Sequence, residues 1–240
     1  MSVRQLRRGI PPGRRPLACY HEAGHCLIRW YFGHRFHGVT VLAIEEIRRN
    51  KRIIDRRGRP ITDVEGLVEG YDIGPPPDLG PEAFEGMEGP PERLAQVRQS
   101  QRIGLEVMLV ECHAGIVAEA RYRKCGVDAL VLTGGNADMA SARDVLDRWF
   151  PEATAREHAA VLAKSRAQAL VHSEAGWRAI TAIAEALMER GELSWEDADA
   201  LCAAAYGHKQ PSLKAWKESW PPELAMIRAG RVPCIKTSGP

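Results

Sequence analysis

The run from Leu17 to Tyr31 is apolar except for Arg29 and where it carries His21-Glu22-Ala23-Gly24-His25, and this restricts how the chain can fold. Two imidazoles four residues apart on a helix share one face and can converge on a single ion. The intervening Glu22 then sits beside that ion, where it can take a proton from water. Leu17, Ala18, Leu27, Ile28, Trp30, Tyr31 and Phe32 flank the motif, so the helix is expected to be packed. A solvated helix with two surface histidines is the alternative, and the apolar flanks argue against it. Burying a His-Glu-His cluster without a metal would leave polar groups in need of partners. Zinc brings the pKa of water to about 7, which is what amide hydrolysis at neutral pH requires.

A chain of 240 residues makes one large domain or two small ones and can bury a real core. Its 45% hydrophobic and 27% charged residues are those of a soluble globular protein. A net charge of +2 gives no electrostatic case for nucleic acid. Arg4, Arg7, Arg8, Arg14 and Arg15 mark residues 1–16 as a solvated N-terminal arm. No run of apolar residues is long enough to span a bilayer, and the start lacks a signal-peptide pattern, so a cytoplasmic protein is expected. Cys19, Cys26, Cys112, Cys125, Cys202 and Cys234 show no C-x-x-C spacing and read as reduced and mostly buried. Cys19 and Cys26 flank the motif and read as core filling.

The pattern predicts a mainly α fold, a helical domain over 17–208 with a small β-sheet near the active site. Gly33 ends the first helix, and Phe36 to Ile44 reads as a strand. Residues 45–62 are charged and read as a surface turn or hairpin; Val64 to Tyr71 is a second strand. Gly74 to Pro91 is dense in Pro and Gly and is expected to be a surface loop, so 45–91 stands out as an insertion. Helical spacing then predicts a helix from Pro91 to Lys124, ended by Gly126. Further helices are expected from Asn136 to Phe150, from Pro151 in a first-turn position to His172, and from Gly176 to Arg190. Ser194 and Asp197 fit a capping box for one more. Residues 209–240 read as an irregular tail.

Catalytic zinc takes three protein ligands and one open position. Glu119 and Asp138 are the leading candidates for the third ligand, ahead of His113, His158, His172 and Asp144. Asp138 follows Gly134-Gly135-Asn136, a turn feeding a helix, and could equally be an N-cap. Glu119 lies in an apolar helical stretch and could equally pair with Arg121 or Arg123. Spacing divides these two evenly.

Several blocks, in order, resemble the peptidase domain of the FtsH family of zinc proteases. Tyr20-His21-Glu22-Ala23-Gly24-His25 is similar to its Y-H-E-A-G-H, and His37-Gly38-Val39-Thr40-Val41 to its H-K-V-T-I strand. Ala114 to Glu119 resembles its A-G-R-A-A-E helix. Thr133 to Met139 with Ala142 resembles its T-G-A-x-N-D-[LI]-x-x-A, and Arg178 to Leu201 its closing helices. The resemblance implies His21, His25 and Asp138 as zinc ligands and Glu22 as general base, with Glu119 in a supporting position. It also implies hexameric rings. The family's ATPase module and membrane anchor are expected to be missing here, since the sequence shows no G-x-x-x-x-G-K-[ST] phosphate loop and no apolar run long enough to span a bilayer. Ala137 replaces an Asn before the ligand, which changes the hydrogen bonding around it.

The expected function is an ATP-independent zinc metalloendopeptidase acting on unfolded polypeptide segments. Val39, Thr40 and Val41 are the expected substrate-binding strand, pairing with extended peptide by β-addition. A peptidase-fold adaptor and a zinc hydrolase of non-peptide amides are the competing expectations; loss of the ATPase favours the first, and retention of Glu22 disfavours it.

Overall fold

A computed structural model describes residues 15–55, 57–61, 64–70, 73, 80–131 and 136–233. The arginine-rich arm up to residue 14, the Gly134-Gly135 turn, Tyr71, residues 74–79 of the Pro/Gly-rich loop and Cys234 lie outside the described residues. The architecture is mainly helical with one small antiparallel sheet, in keeping with the fold class expected from the sequence.

Helix α1 (Pro16–Tyr31) starts with proline in its first turn, where the missing N–H is no loss. It is buried along nearly its whole length and packs on α3 (Pro91–Arg123) and on α7 (Glu174–Arg190). Helix α3 has 33 residues, about 50 Å at 1.5 Å per residue, and spans the molecule. Its first turns are exposed, and its buried residues run from Ile103 to Ala120. It ends at Lys124, which takes the left-handed conformation at φ 55°, two residues before the expected stop at Gly126. A short helix, α4 (Val127–Val131), follows, and then α5 (Asn136–Trp149).

Helix α6 (Ala153–His172) starts at Glu152 as N-cap, so Pro151 lies outside the helix rather than in its first turn. Ser173 caps α7 by accepting the Gly176 N–H at 3.0 Å, so the helix begins at Glu174, ahead of the expected start at Gly176. Gly191 ends α7 at φ 83°, a left-handed position that suits glycine. The Ser194–Asp197 capping box opens α8 (Trp195–Tyr206), as the sequence predicts.

The sheet has the order β4-β1-β5, all antiparallel, from β1 (Phe36–Val41), β4 (Gly66–Gly70) and β5 (Glu192–Ser194). Val39 sits opposite Val68 on one side and Leu193 on the other. The first strand is shorter than expected, because Ile44 opens a helical turn, α2 (Ile44–Arg48). The charged segment after it forms the small hairpin of β2 (Ile53–Ile54) and β3 (Pro60–Ile61).

The tail is not irregular where it is described. Helices α9 (Leu213–Glu218) and α10 (Leu224–Arg228) dock onto the main body. Trp216 is buried against Tyr31 and Phe32 and donates from Nε1 to the Tyr31 carbonyl at 2.7 Å. Trp216 and Ile227 join the same apolar core as α1, α3 and α7. That burial, rather than local propensity, holds helices this short. No helix among the described residues is long and apolar enough to cross a membrane.

Candidate metal centre

Helices α1 and α3 approach through a glycine on each. A Cβ on Gly24 would stand 2.6 Å from the Ala114 carbonyl oxygen. One on Gly115 would stand 2.4 Å from His21 Nε2, so the imidazole rests directly on the α3 backbone. Helix α5 closes the third side, with Asp138 in its first turn.

Asp138 Oδ2 lies 3.0 Å from His21 Nε2 and 3.4 Å from His25 Nε2. The two Nε2 atoms are 3.2 Å apart. Ligand atoms about 2.0–2.1 Å from a tetrahedral ion stand about 3.3 Å from one another. The three separations therefore form one face of such a tetrahedron, and the donor set of two imidazoles and a carboxylate suits zinc or a similar divalent ion. This is the one group among the described residues whose His, Cys, Asp and Glu atoms converge closely enough to hold a metal.

Electrostatics points the same way. Burial opposes protonation of His21, but the carboxylates of Asp138, Glu119 and Glu22 outweigh it and raise its pKa to about 10. Burial likewise opposes a charge on His25, and Asp138 reverses it, for a net rise. Asp138 is held well below the usual carboxylate range: burial would raise it, and the two histidines more than offset that. A site that stabilises positive charge this strongly has a surplus of electron pairs.

Glu22 is buried beside the two histidines, and burial raises its carboxyl pKa despite their opposing charges. Its carboxylate accepts a hydrogen bond from the Val68 backbone and packs against Gly66, where a Cβ would stand 2.5 Å from Glu22 Cγ. The cleft in front holds about 750 Å³, walled by α1, α3 and α5 and on the fourth side by residues 64–68.

Glu119 does not share the ligand face. Its Oε2 lies 3.9 Å from Nδ1, the opposite nitrogen of His21, and its Oε1 accepts from Arg123 at 3.0 Å. It stands behind the imidazole, where its charge favours the protonated ring. Of the remaining candidates, His113 is 2.8 Å from the Leu109 carbonyl through Nδ1, and Asp144 pairs with Arg148 along α5. His158 lines a separate cavity, and His172 stands at the end of α6. Cys19 and Cys26 are fully buried in the apolar core, as core filling requires.

The strand assignment needs correction. Val39, Thr40 and Val41 lie on the central strand, with both edges already paired, and Val39 and Val41 are buried. No extended peptide can add to them. The strand that faces the cleft is β4. Residue 65 turns its carbonyl toward β1, bonded by the Leu42 N–H at 2.8 Å. By alternation Gly66 and Val68 turn theirs outward, toward Glu22 and the cleft. Sequence reasoning also passed over Gly115, although a glycine inside a helical pattern signals close backbone contact. It missed Cys112 in the cleft wall, which carried no spacing signal.

No known family profile matches the chain, and no curated protein matches it significantly.

Proposed function

We propose that this chain is a zinc-dependent metallopeptidase, similar in its motifs to the FtsH-type peptidase domain. The observation that carries the reading is the meeting of His21, His25 and Asp138 across 117 residues of sequence, with Glu22 beside them in an open cleft. In this reading the two Nε2 atoms and Asp138 Oδ2 hold the ion. When bound, zinc supplies Lewis acidity, polarising a carbonyl oxygen and bringing the pKa of water to about 7.

The protein's own groups do the rest. Glu22, raised by burial toward the working range of a base, takes a proton from the attacking water and delivers it to the leaving amine. Glu119 faces the Nδ1 side of His21, where its charge favours a proton on that nitrogen. The outward edge of β4 around Gly66 has no strand paired to it among the described residues and can align an extended peptide through main-chain hydrogen bonds. That selects unfolded or loop segments, whose backbone is free to pair.

Glu22→Gln keeps the size of the side chain and removes the base. It should retain zinc while cleavage of an unfolded protein such as casein falls by about 10²–10⁴. Wild-type rates in that variant would refute the assignment.

A further inference from the structure

Two glycines border the metal centre, and they touch different side chains. Gly115 on α3 lies against His21, a proposed ligand, and Gly66 on β4 lies against Glu22, the proposed base. A Cβ at residue 66 would stand 2.5 Å from Glu22 Cγ, 2.7 Å from its Oε1 and 2.8 Å from its Cδ. No atom of His21, His25 or Asp138 comes as near. Non-bonded carbons rest about 3.5–4.0 Å apart, so a methyl and this carboxylate cannot share the place.

Backbone conformation does not call for the glycine. Gly66 has no positive φ, and it is paired in the sheet opposite Val41. A glycine inside a strand weakens it and marks a place where another group approaches closely. Here that group is Glu22. Two residues on, the Val68 backbone donates to the same carboxylate. Gly66 supplies the room and Val68 the donor, and together they hold the carboxylate against β4. The cleft of about 750 Å³ in front gives a displaced carboxylate somewhere to go. A methyl at residue 66 would therefore move Glu22 rather than unfold the strand.

We propose that Gly66 is a positioning residue: its missing side chain seats the Glu22 carboxylate on β4 and so sets the base relative to the metal-binding face. This rests on the peptidase reading, in which Glu22 is that base. It divides the work of the two glycines. Gly115 governs how tightly the ion is held, and Gly66 how fast the bond is cut.

Gly66→Ala in the full chain tests this in two ways. With zinc loaded, kcat on an unfolded protein substrate should fall about 10²-fold, the loss that a shift of about 1 Å at a reacting group brings. KM and zinc affinity should stay within about twofold of wild type, because the substitution reaches neither the ligands nor the main chain of β4. A general loosening of the sheet would instead raise KM and weaken zinc together. Under a chelator, thermal unfolding completes a cycle with Glu22→Ala. Gly66→Ala should lower the midpoint by about 2–4 °C in the wild-type background. Beside Glu22→Ala it should lower it not at all, since the carboxylate it meets is gone. Equal losses in both backgrounds, or wild-type kcat in Gly66→Ala, would overturn the proposal. A zinc-loaded wild type that cleaves nothing would sink the peptidase reading instead, and the thermal cycle would still decide whether Gly66 seats Glu22.

Discussion

Helix α3 passes two polar clusters, one enclosed beside α1 and α5 and one that reaches solvent, and they are opposite in kind. Near Gly115 it borders His21, His25, Glu22, Asp138 and Glu119, a cluster rich in electron pairs that holds imidazole protons tightly. A few turns earlier it borders Arg98, Gln101, Arg102 and Arg166, a cluster rich in N–H groups with one carboxylate to share. Buried polar groups persist only when something satisfies them. The first cluster therefore calls for a cation, whereas in the second Glu106 pairs with the buried Arg166 and Arg102 reaches solvent.

The sharpest way to break this contrast is to remove Asp138. Asp138→Ala leaves two Nε2 atoms 3.2 Å apart with no carboxylate to join them. Stoichiometric zinc, read by metal analysis, and peptide cleavage should both fall to background. Arg166→Met strikes the other side. Breaking a buried ion pair costs about 3–5 kcal/mol, but Arg102 and Trp220 still bond Glu106, so urea unfolding should show a loss of about 2 kcal/mol with metal content unchanged.

Gly115→Ala is a smaller perturbation at the seam of the metal centre. Its methyl would press on His21 Nε2 and should cost about 1 kcal/mol of stability by overpacking. Zinc affinity should fall by about tenfold as the imidazole shifts, measured by competition with a chelating dye.

The smallest expected effect concerns a histidine that belongs to neither cluster. His34 is half-buried near Arg29, and desolvation followed by that charge lowers its pKa to about 4. His21, with carboxylates around it, moves the other way. A base depressed in the folded state contributes stability above its unfolded pKa of about 6.5 and loses it as pH falls toward 4. Denaturation midpoints should therefore decline between those values, and His34→Asn should flatten the decline. An unchanged slope would mean that His34 is not the group responsible.

Much of this was legible in the sequence, for identifiable reasons. Helix α1 announced itself by its apolar flanks, α7 by Gly191 and α8 by the Ser194–Asp197 box, because caps and periodicity are local. The pair His21 and His25 was equally local. The third ligand was not: Asp138 reaches them through the packing of α5 beside α3, which spacing does not encode, and from residues alone Glu119 stood level with it. The strand was recognised but its place in the sheet was not, since alternation shows that β1 is a strand and not which strands flank it. The tail failed for another reason. Helices of five and six residues have no intrinsic stability, and only the burial of Trp216 and Ile227 forms them.

The most direct test of the metal centre is X-ray absorption at the zinc edge of the full chain loaded with one equivalent. The expected first shell contains only nitrogen and oxygen at about 2.0–2.1 Å, with the outer scattering of two imidazoles. A sulfur shell at about 2.3 Å, as Cys112 in the cleft wall would give, or scattering from a single imidazole, would contradict it.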